Sequence, residues 1–300
     1  MKLGDLGEDH LLDQLLPRLP LKKKAIVAGP GDDCAVVQTQ GRRNFLVLKT
    51  DCVVEGVHFS PRTKPGDVGW KGMMRPLSDF AAASALPQFA LITLMLPAKT
   101  EVAWVKELYR GLRRAAKRFE VSIAGGETSS TPGPIAISTS VVGFVEKSRW
   151  TSRRGGKAGD DVFVTGRLGG ALTQKHLQFI PRIAESRWLT KNFAVHAMMD
   201  LSDGLGTDLP RLARASKVGF EVDNAKLPLT HGANVSDAFS EGEDYELLFA
   251  MSPRDRSRLQ REWAKQFPNL PLTRIGSLSR KSTVENQKLP SGYVHFQQSR

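Results

Sequence analysis

The chain has 300 residues, with 43 Lys and Arg against 31 Asp and Glu and a formal charge of +12. That length accommodates two domains of ordinary size. With 40% hydrophobic and 25% charged residues, the composition is globular and excludes a disordered chain. The positive surplus is spread evenly, with 21 basic and 15 acidic side chains in residues 1–150 and 22 and 16 in residues 151–300. With no basic tail or long basic run, nucleic-acid binding is not the expected main function.

In chain order, MKLGDLGEDH is acidic and lacks the apolar stretch of a signal peptide. Leu11, Leu12, Leu15, Leu16 and Leu19 predict an amphipathic helix broken near Pro17 and Pro20. Ala35–Val37 and Phe45–Leu48 read as short strands. Val68–Ala85 reads as a helix that Pro76 should kink or end, and Phe89–Leu96 as a buried strand. Trp104, Leu108, Leu112, Ala115, Ala116 and Phe119 share one face of a helix, with Arg110, Arg113, Arg114 and Lys117 on a solvated basic face. Ile135–Val145 is a long strand. The polar, Gly-containing run EKSRWTSRRGGKAGD then suggests a junction, dividing the chain into 1–147 and 148–300. Val162–Thr165, Met198–Leu201, Gly219–Val222 and Tyr245–Ala250 are further strands, and Leu205–Ala215 is a helix despite Pro210. No segment is long and apolar enough for a membrane span. Cys34 and Cys52 form neither a CxxC motif nor a disulfide framework, so the cytoplasm is the default location.

The acids carry more information than the bases. Asp32 and Asp33 stand in GPGDDCAVV, Asp51 and Glu55 in KTDCVVEGVHF, Asp79 in LSDFAAA and Glu127 in AGGETSS. Asp200 and Asp203 stand in MMDLSDGLGTDL, and Glu243, Asp244 and Glu246 in EGEDYELLF. Most read as short turns at strand ends, and taken singly each is an ordinary turn or helix start, with Ser202 or Asp203 able to cap the latter. Gathered together, such carboxylates would repel one another unless cations neutralise them. Magnesium suits carboxylate and hydroxyl ligands and bridges to phosphates, so several Mg²⁺ ions holding ATP is the sharp expectation. GxxxxGK[ST] and HRD…DFG are both missing, which excludes a P-loop kinase and a protein kinase.

GPGDDCAVV, LVLKTDCVVEGVHF, LSDFAAASALP, AGGETSS, MDLSDGLGTDL and EGEDYELLF, in that order, resemble the thiamine-monophosphate kinase family, and the closing GYVHF resembles that family's aromatic terminal segment. EGVHF, DLSDGL and GEDYELLF together distinguish it from the related synthetases of aminoimidazole ribonucleotide and selenophosphate. The resemblance covers nearly the whole chain and is weakest over 253–288.

It implies an α/β fold of two domains, the first pairing with its copy in a homodimer to close a β-barrel across the interface. It also implies ATP in a cleft and transfer of its γ-phosphoryl group to thiamine monophosphate, giving thiamine diphosphate. By resemblance, Asp33, Thr50, Asp51, Asp79, Glu127, Asp200 and Asp203 bind magnesium, and Gly126, Arg153 and Ser202 contact ATP. His58, Glu243 and Tyr293 face the thiamine substrate. No covalent nucleophile or general base is implied, because a phosphate acceptor is already ionised at neutral pH and phosphoryl transfer rests on positioning and charge stabilisation.

The chain departs from the family pattern at several points. Lys49 stands where a small hydroxyl residue is usual, Pro76 where Asn is, and Glu127 where Asp is. Pro30 replaces Ile, Glu241 a Gly, and Val294 an Asp. An ammonium at position 49 cannot ligate a metal, yet it can replace one cation. The departures motivate an alternative reading as a substrate-shifted or non-catalytic ATP-binding relative.

Overall fold

The computed structural model of the protein describes residues 2–20, 24–39, 43–173, 175–280, 290 and 292–293. Val294 and the rest of the closing GYVHF segment after Tyr293 lie outside these residues. Two short helices, α1 (Leu3–Leu6) and α2 (Glu8–Leu15), precede the first sheet. That sheet comprises β1 (Ile26–Ala28), β2 (Ala35–Gln38), β3 (Asn44–Val54), β4 (Leu86–Leu96), β5 (Ser122–Ser130) and β6 (Ala136–Glu146), in the order β1-β2-β3-β6-β4-β5. Neighbours are antiparallel except β4 and β5, which are parallel. A parallel pair needs a crossover, and α4 (Val102–Arg118) supplies it.

Strand β3 is longer than Phe45–Leu48. It pairs with β6 from Asn44–Glu146 to Val54–Ala136, so KTDCVV has its backbone satisfied in the sheet, and Asp51 lies in a strand, not a turn. Glu127 is likewise within β5, an exposed edge strand. Strand β4 is only half-buried. Leu86, Phe89 and Leu91 stay 45–48% exposed, because the sheet's helices, α3 (Pro65–Ala82) and α4, cover its other face.

Helix α3 runs unbroken through Pro76. A helix-interior proline costs about 3 kcal/mol through its missing N–H and its clash with the preceding turn. Here the helix is packed nearly all round, with Met73, Met74, Leu77 and Phe80 fully buried, and that burial outweighs the penalty. On one side α3 meets α4 and β3. On the other it meets α5 (Lys175–Gln178), α6 (Ile183–Asn192) and β8 (Val195–Asp200) of the second half. It is thus the wall shared by both halves.

The second sheet comprises β7 (Asp161–Thr165), β8, β9 (Gly219–Val222), β10 (Leu247–Met251) and β11 (Leu272–Ser279), antiparallel in the order β8-β10-β7-β11-β9. Its central strands are buried on both faces, and the period of two separates two cores. Phe163, Met198, Leu247, Phe249 and Met251 join the core that runs through α3 into the first sheet. Val162, Val164, Ala197, Met199, Leu248 and Ala250 face the other core, with Leu205, Leu209 and Leu212 of α7 (Leu205–Ser216) and Phe239 of α8 (Val235–Ser240). Helix α9 (Arg256–Gln266) buries Leu259 and Trp263 beside β11. Among the described residues no helix is long and apolar enough to cross a membrane.

The α3–α4 contact depends on missing side chains. A Cβ on Gly69 would overlap the Leu108 carbonyl oxygen, and one on Gly111 would overlap that of Gly66. Backbone cannot yield as a flexible side chain does. We expect Gly111→Ala to lower unfolding stability by about 2 kcal/mol or more in urea titration. An unchanged midpoint would show that the helices have room to part.

Candidate active site

A cavity of about 880 Å³ opens between the two halves, lined by residues from α2, β3, α3, the 152–154 linker, β8 and α7. Its floor is acidic. Asp33 in the turn before β2, Asp79 on α3 and Asp200 at the end of β8 are buried, and one oxygen from each lies within 4.8 Å of the others. Each is held by a partner from elsewhere in the chain. Arg153 donates to Asp33 Oδ1 through Nη2 at 2.6 Å and Nε at 3.1 Å. Lys49 Nζ donates to Asp79 Oδ1 at 2.6 Å, and Ser78 Oγ to Asp200 Oδ2 at 2.5 Å. Asp32 accepts from Ser152 Oγ at 2.5 Å and from the Arg153 amide at 3.2 Å, which ties the β1–β2 turn to the linker.

Burial and then mutual repulsion set the charge state of this floor. Burial, followed by the Asp33 charge, pushes Asp200 up to about 6, against the Ser78 hydrogen bond and the Lys49 and Arg153 charges. Burial also lifts Asp79 well above the carboxylate range, with Lys49 opposing it and Asp200, Asp51 and Asp33 adding to it. Burial disfavours the Lys49 ammonium, but Asp79 and Asp51 more than offset this and keep it charged. The donors are all hard oxygens, converging and only partly neutralised, which fits a magnesium-type cation.

Beside this floor lies a second polar cluster. Lys71 of α3, fully buried, donates at 2.6 Å to both Glu243 Oε2 and the His58 carbonyl. His176 Nδ1 lies 2.8 Å from Glu243 Oε2, and Arg75 reaches both Asp51 at 3.2 Å and Glu243 at 3.5 Å. Burial alone would raise Glu243, but His176, Lys71 and Arg75 hold it down at about 2. Burial lowers Lys71 to about 8 despite Glu243. Glu243 and Tyr245 adopt left-handed backbone, with φ of 68° and 51°. Their strain is held by the Glu243 and Tyr245 amides, which donate to the Ser202 and Leu201 carbonyls at 2.7 and 2.8 Å. The buried Tyr245 hydroxyl and Arg75 Nε have no hydrogen-bond partner among the described residues, leaving donors for a ligand.

The other sequence-derived residues divide by location. Thr50, Asp51, His58, Arg153, Ser202 and Asp203 line the cavity with Asp79 and Asp200, while Asp33 joins them through the carboxylate cluster. Thr50 Oγ1 accepts from Ser140 at 3.0 Å, and Asp203 pairs with Arg211. Neither Ser202 nor Asp203 caps α7. Gly204 is the N-cap residue, and Asp208 instead accepts from the Ser202 and Asp203 amides at 3.0 and 2.9 Å, fixing that turn from within the helix. Gly126 and Glu127 are exposed on β5 and do not line the cavity, and Glu127 Oε1 accepts the Thr128 amide at 3.0 Å. Tyr293 also lies outside the cavity, 45% exposed, but its amide donates to the Asp203 carbonyl at 2.8 Å.

Sequence reading missed Lys71, Arg75, Ser78 and His176. For the first two a signal was present. Asp67, Lys71, Arg75 and Asp79 recur every four residues on an otherwise uncharged helix, a stripe that needs water or paired partners.

The His58 ring accepts the Val54 amide at Nδ1, 3.1 Å away, so its proton belongs on Nε2. Burial and then the Arg75 charge lower it to about 3. A base depressed on folding contributes stability above its unfolded value of 6.5, and that stability is lost as pH falls towards 3. We expect the His58 imidazole to stay neutral, with its Nε2–H tautomer, from pH 8 to 5 by ¹⁵N NMR. A titration midpoint near 6.5 would contradict this placement.

The family models "AIR synthase related protein, N-terminal domain" and "AIR synthase related protein, C-terminal domain" match residues 31–145 and 148–284. Thiamine-monophosphate kinase of Rhodopirellula baltica is 35% identical over 296 residues, covering 90% of this chain and 92% of that protein. The Aquifex aeolicus enzyme of the same name is 36% identical, covering 99% of this chain and 100% of its own. The solved structure "AaThiL complexed with AMPPCP and TMP" superposes with a TM-score of 0.83 at 33% identity, covering 98% of this chain and 99% of that one. By these matches the chain belongs to the thiamine-monophosphate kinase family of AIR synthase-related proteins.

Proposed function

We propose that the protein is an ATP-dependent thiamine-monophosphate kinase, transferring the γ-phosphoryl group of ATP to the phosphate of thiamine monophosphate. The observation that carries this reading is the convergence of Asp33, Asp79 and Asp200 within 4.8 Å on the floor of the cavity between the halves. Two polyanions must meet there, and the requirement is charge neutralisation and alignment, not a nucleophile. Magnesium, when bound, supplies that neutralisation across the phosphates. Asp33, Thr50, Asp51, Asp79, Asp200 and Asp203 are the residues to hold it, and Arg153 and Ser202, which line the cavity, are the residues to contact ATP.

His58 and Glu243 define the acceptor side, supported by the Lys71–Glu243–His176 cluster. Arg75 Nε and the Tyr245 hydroxyl are the buried donors to receive acceptor oxygens. Tyr293, anchored at Asp203, is positioned to approach the substrate from outside the cavity.

The same reading makes the protein a homodimer. The open face of the first sheet carries Leu86, Phe89 and Leu91 at 45–48% exposure, an apolar surface that a second copy would cover. Two such sheets would close the barrel, and Gly126 and Glu127, on the adjoining edge strand, would contribute to the nucleotide–metal site in that assembly. We divide the chain at 147/148, between the two sheets. Cys34 and Cys52 are free, which fits the reducing cytoplasm.

Purified protein is expected to convert ATP and thiamine monophosphate into thiamine diphosphate and ADP in the presence of Mg²⁺. Asp200→Ala should lower kcat at least about a thousandfold, several kcal/mol of transition-state stabilisation. Activity with free thiamine alone would change the reaction. Binding of ATP without turnover of either acceptor would favour the non-catalytic alternative.

A further inference from the structure

The metal floor contains a cation of its own. Lys49 enters from β3, next to Thr50 and Asp51, and its Nζ lies 2.6 Å from Asp79 Oδ1. Asp79 is one of the three carboxylates whose oxygens lie within 4.8 Å of one another. The Lys49 side chain is only 24% exposed and that of Asp79 9%, so the pair is largely shielded from water and from screening ions. The Lys49 charge also reaches Asp200.

An ammonium has three donors and no acceptor, so it cannot enter a metal's ligand shell. It competes with a metal for the same oxygen, and a divalent ion placed on Asp79 Oδ1 would sit against a like charge at contact distance. We propose that Lys49 is a fixed cation that takes the place of one divalent ion at Asp79, so that the site binds one ion fewer than its carboxylates would otherwise hold. This inference rests on reading the cavity as a magnesium–nucleotide site. It assigns Lys49 a positioning and charge-compensating role: it occupies Asp79 Oδ1 and leaves the other Asp79 oxygen, with Asp33 and Asp200, for the remaining metal.

The test counts ions without turnover. Mn²⁺ binding to the full-length protein, saturated with a non-hydrolysable ATP analogue, is measured by calorimetry and by the loss of free-ion paramagnetic resonance signal. Wild type, Lys49→Ala and Lys49→Arg are compared. Lys49→Ala should bind one more Mn²⁺ per chain than wild type, and Lys49→Arg, which keeps the charge, should match wild type. Equal counts in wild type and Lys49→Ala would overturn the inference, whether or not the protein phosphorylates thiamine monophosphate. A gained ion in a protein without kinase activity would support it and place the failure in the activity reading.

If Lys49→Ala does not fold, Mn²⁺-soaked wild-type crystals decide. Anomalous peaks should lie on Asp33 or Asp200 but none within about 2.5 Å of Asp79 Oδ1, with Lys49 still paired there. A peak on that oxygen with Lys49 swung away would overturn the proposal.

Discussion

The fold is organised around a repulsion. Asp33, Asp79 and Asp200 come from a turn in the first half, the shared helix and a strand of the second half, and they meet where water is scarce. Such a meeting is unfavourable by itself, as the upward displacement of Asp79 and Asp200 records. Several features of the structure act to hold or compensate it. Arg153 comes from the linker, Lys49 from β3 and Ser78 from the turn of α3 that also carries Asp79. The rigidity of α3, packed between both sheets, keeps the geometry fixed while the charges oppose it.

The core continues that logic. One hydrophobic cluster runs from the first sheet through α3 to Phe163, Met198 and Phe249 of the second sheet. The halves therefore share apolar surface as well as the acidic floor, and the cavity between them has stable walls. The left-handed Glu243 and Tyr245 show where local conformation is given up for the site. Their loop is held by the Leu201 and Ser202 carbonyls and by the buried Lys71, so neighbouring structure offsets the strain.

Much of this was legible in the sequence, for identifiable reasons. The acidic motifs stand out because six short Asp- or Glu-containing, mostly Gly-containing segments in one order leave few bland explanations, and the strands of the second half stand out as short apolar runs. The placements that failed were those decided by partners distant in the chain. Asp51 and Glu127 read as turn residues because KTDCVV and AGGETSS lack strand character in isolation, yet pairing with β6 and β4 makes them strand. Pro76 read as a break because local chemistry says so, whereas burial on all sides of α3 decides otherwise. No side chain caps α7 at Gly204; Asp208, the fourth residue of the helix, instead accepts the Ser202 and Asp203 amides of the turn before it. The basic surplus, spread evenly along the chain, includes groups that the site pairs internally. Arg153, Arg75 and Lys49 are each matched to an acid of the site.

The central claim is that the acidic floor is a divalent-cation site joining the two halves. A ligand that binds only the folded state raises stability in proportion to its affinity. The most direct measurement is the thermal unfolding temperature with and without saturating Mg²⁺ and a non-hydrolysable ATP analogue, in wild type and in Asp200→Asn. The account predicts a rise of several degrees in wild type that Asp200→Asn largely abolishes. An equal Mg²⁺-dependent rise in both proteins would contradict it.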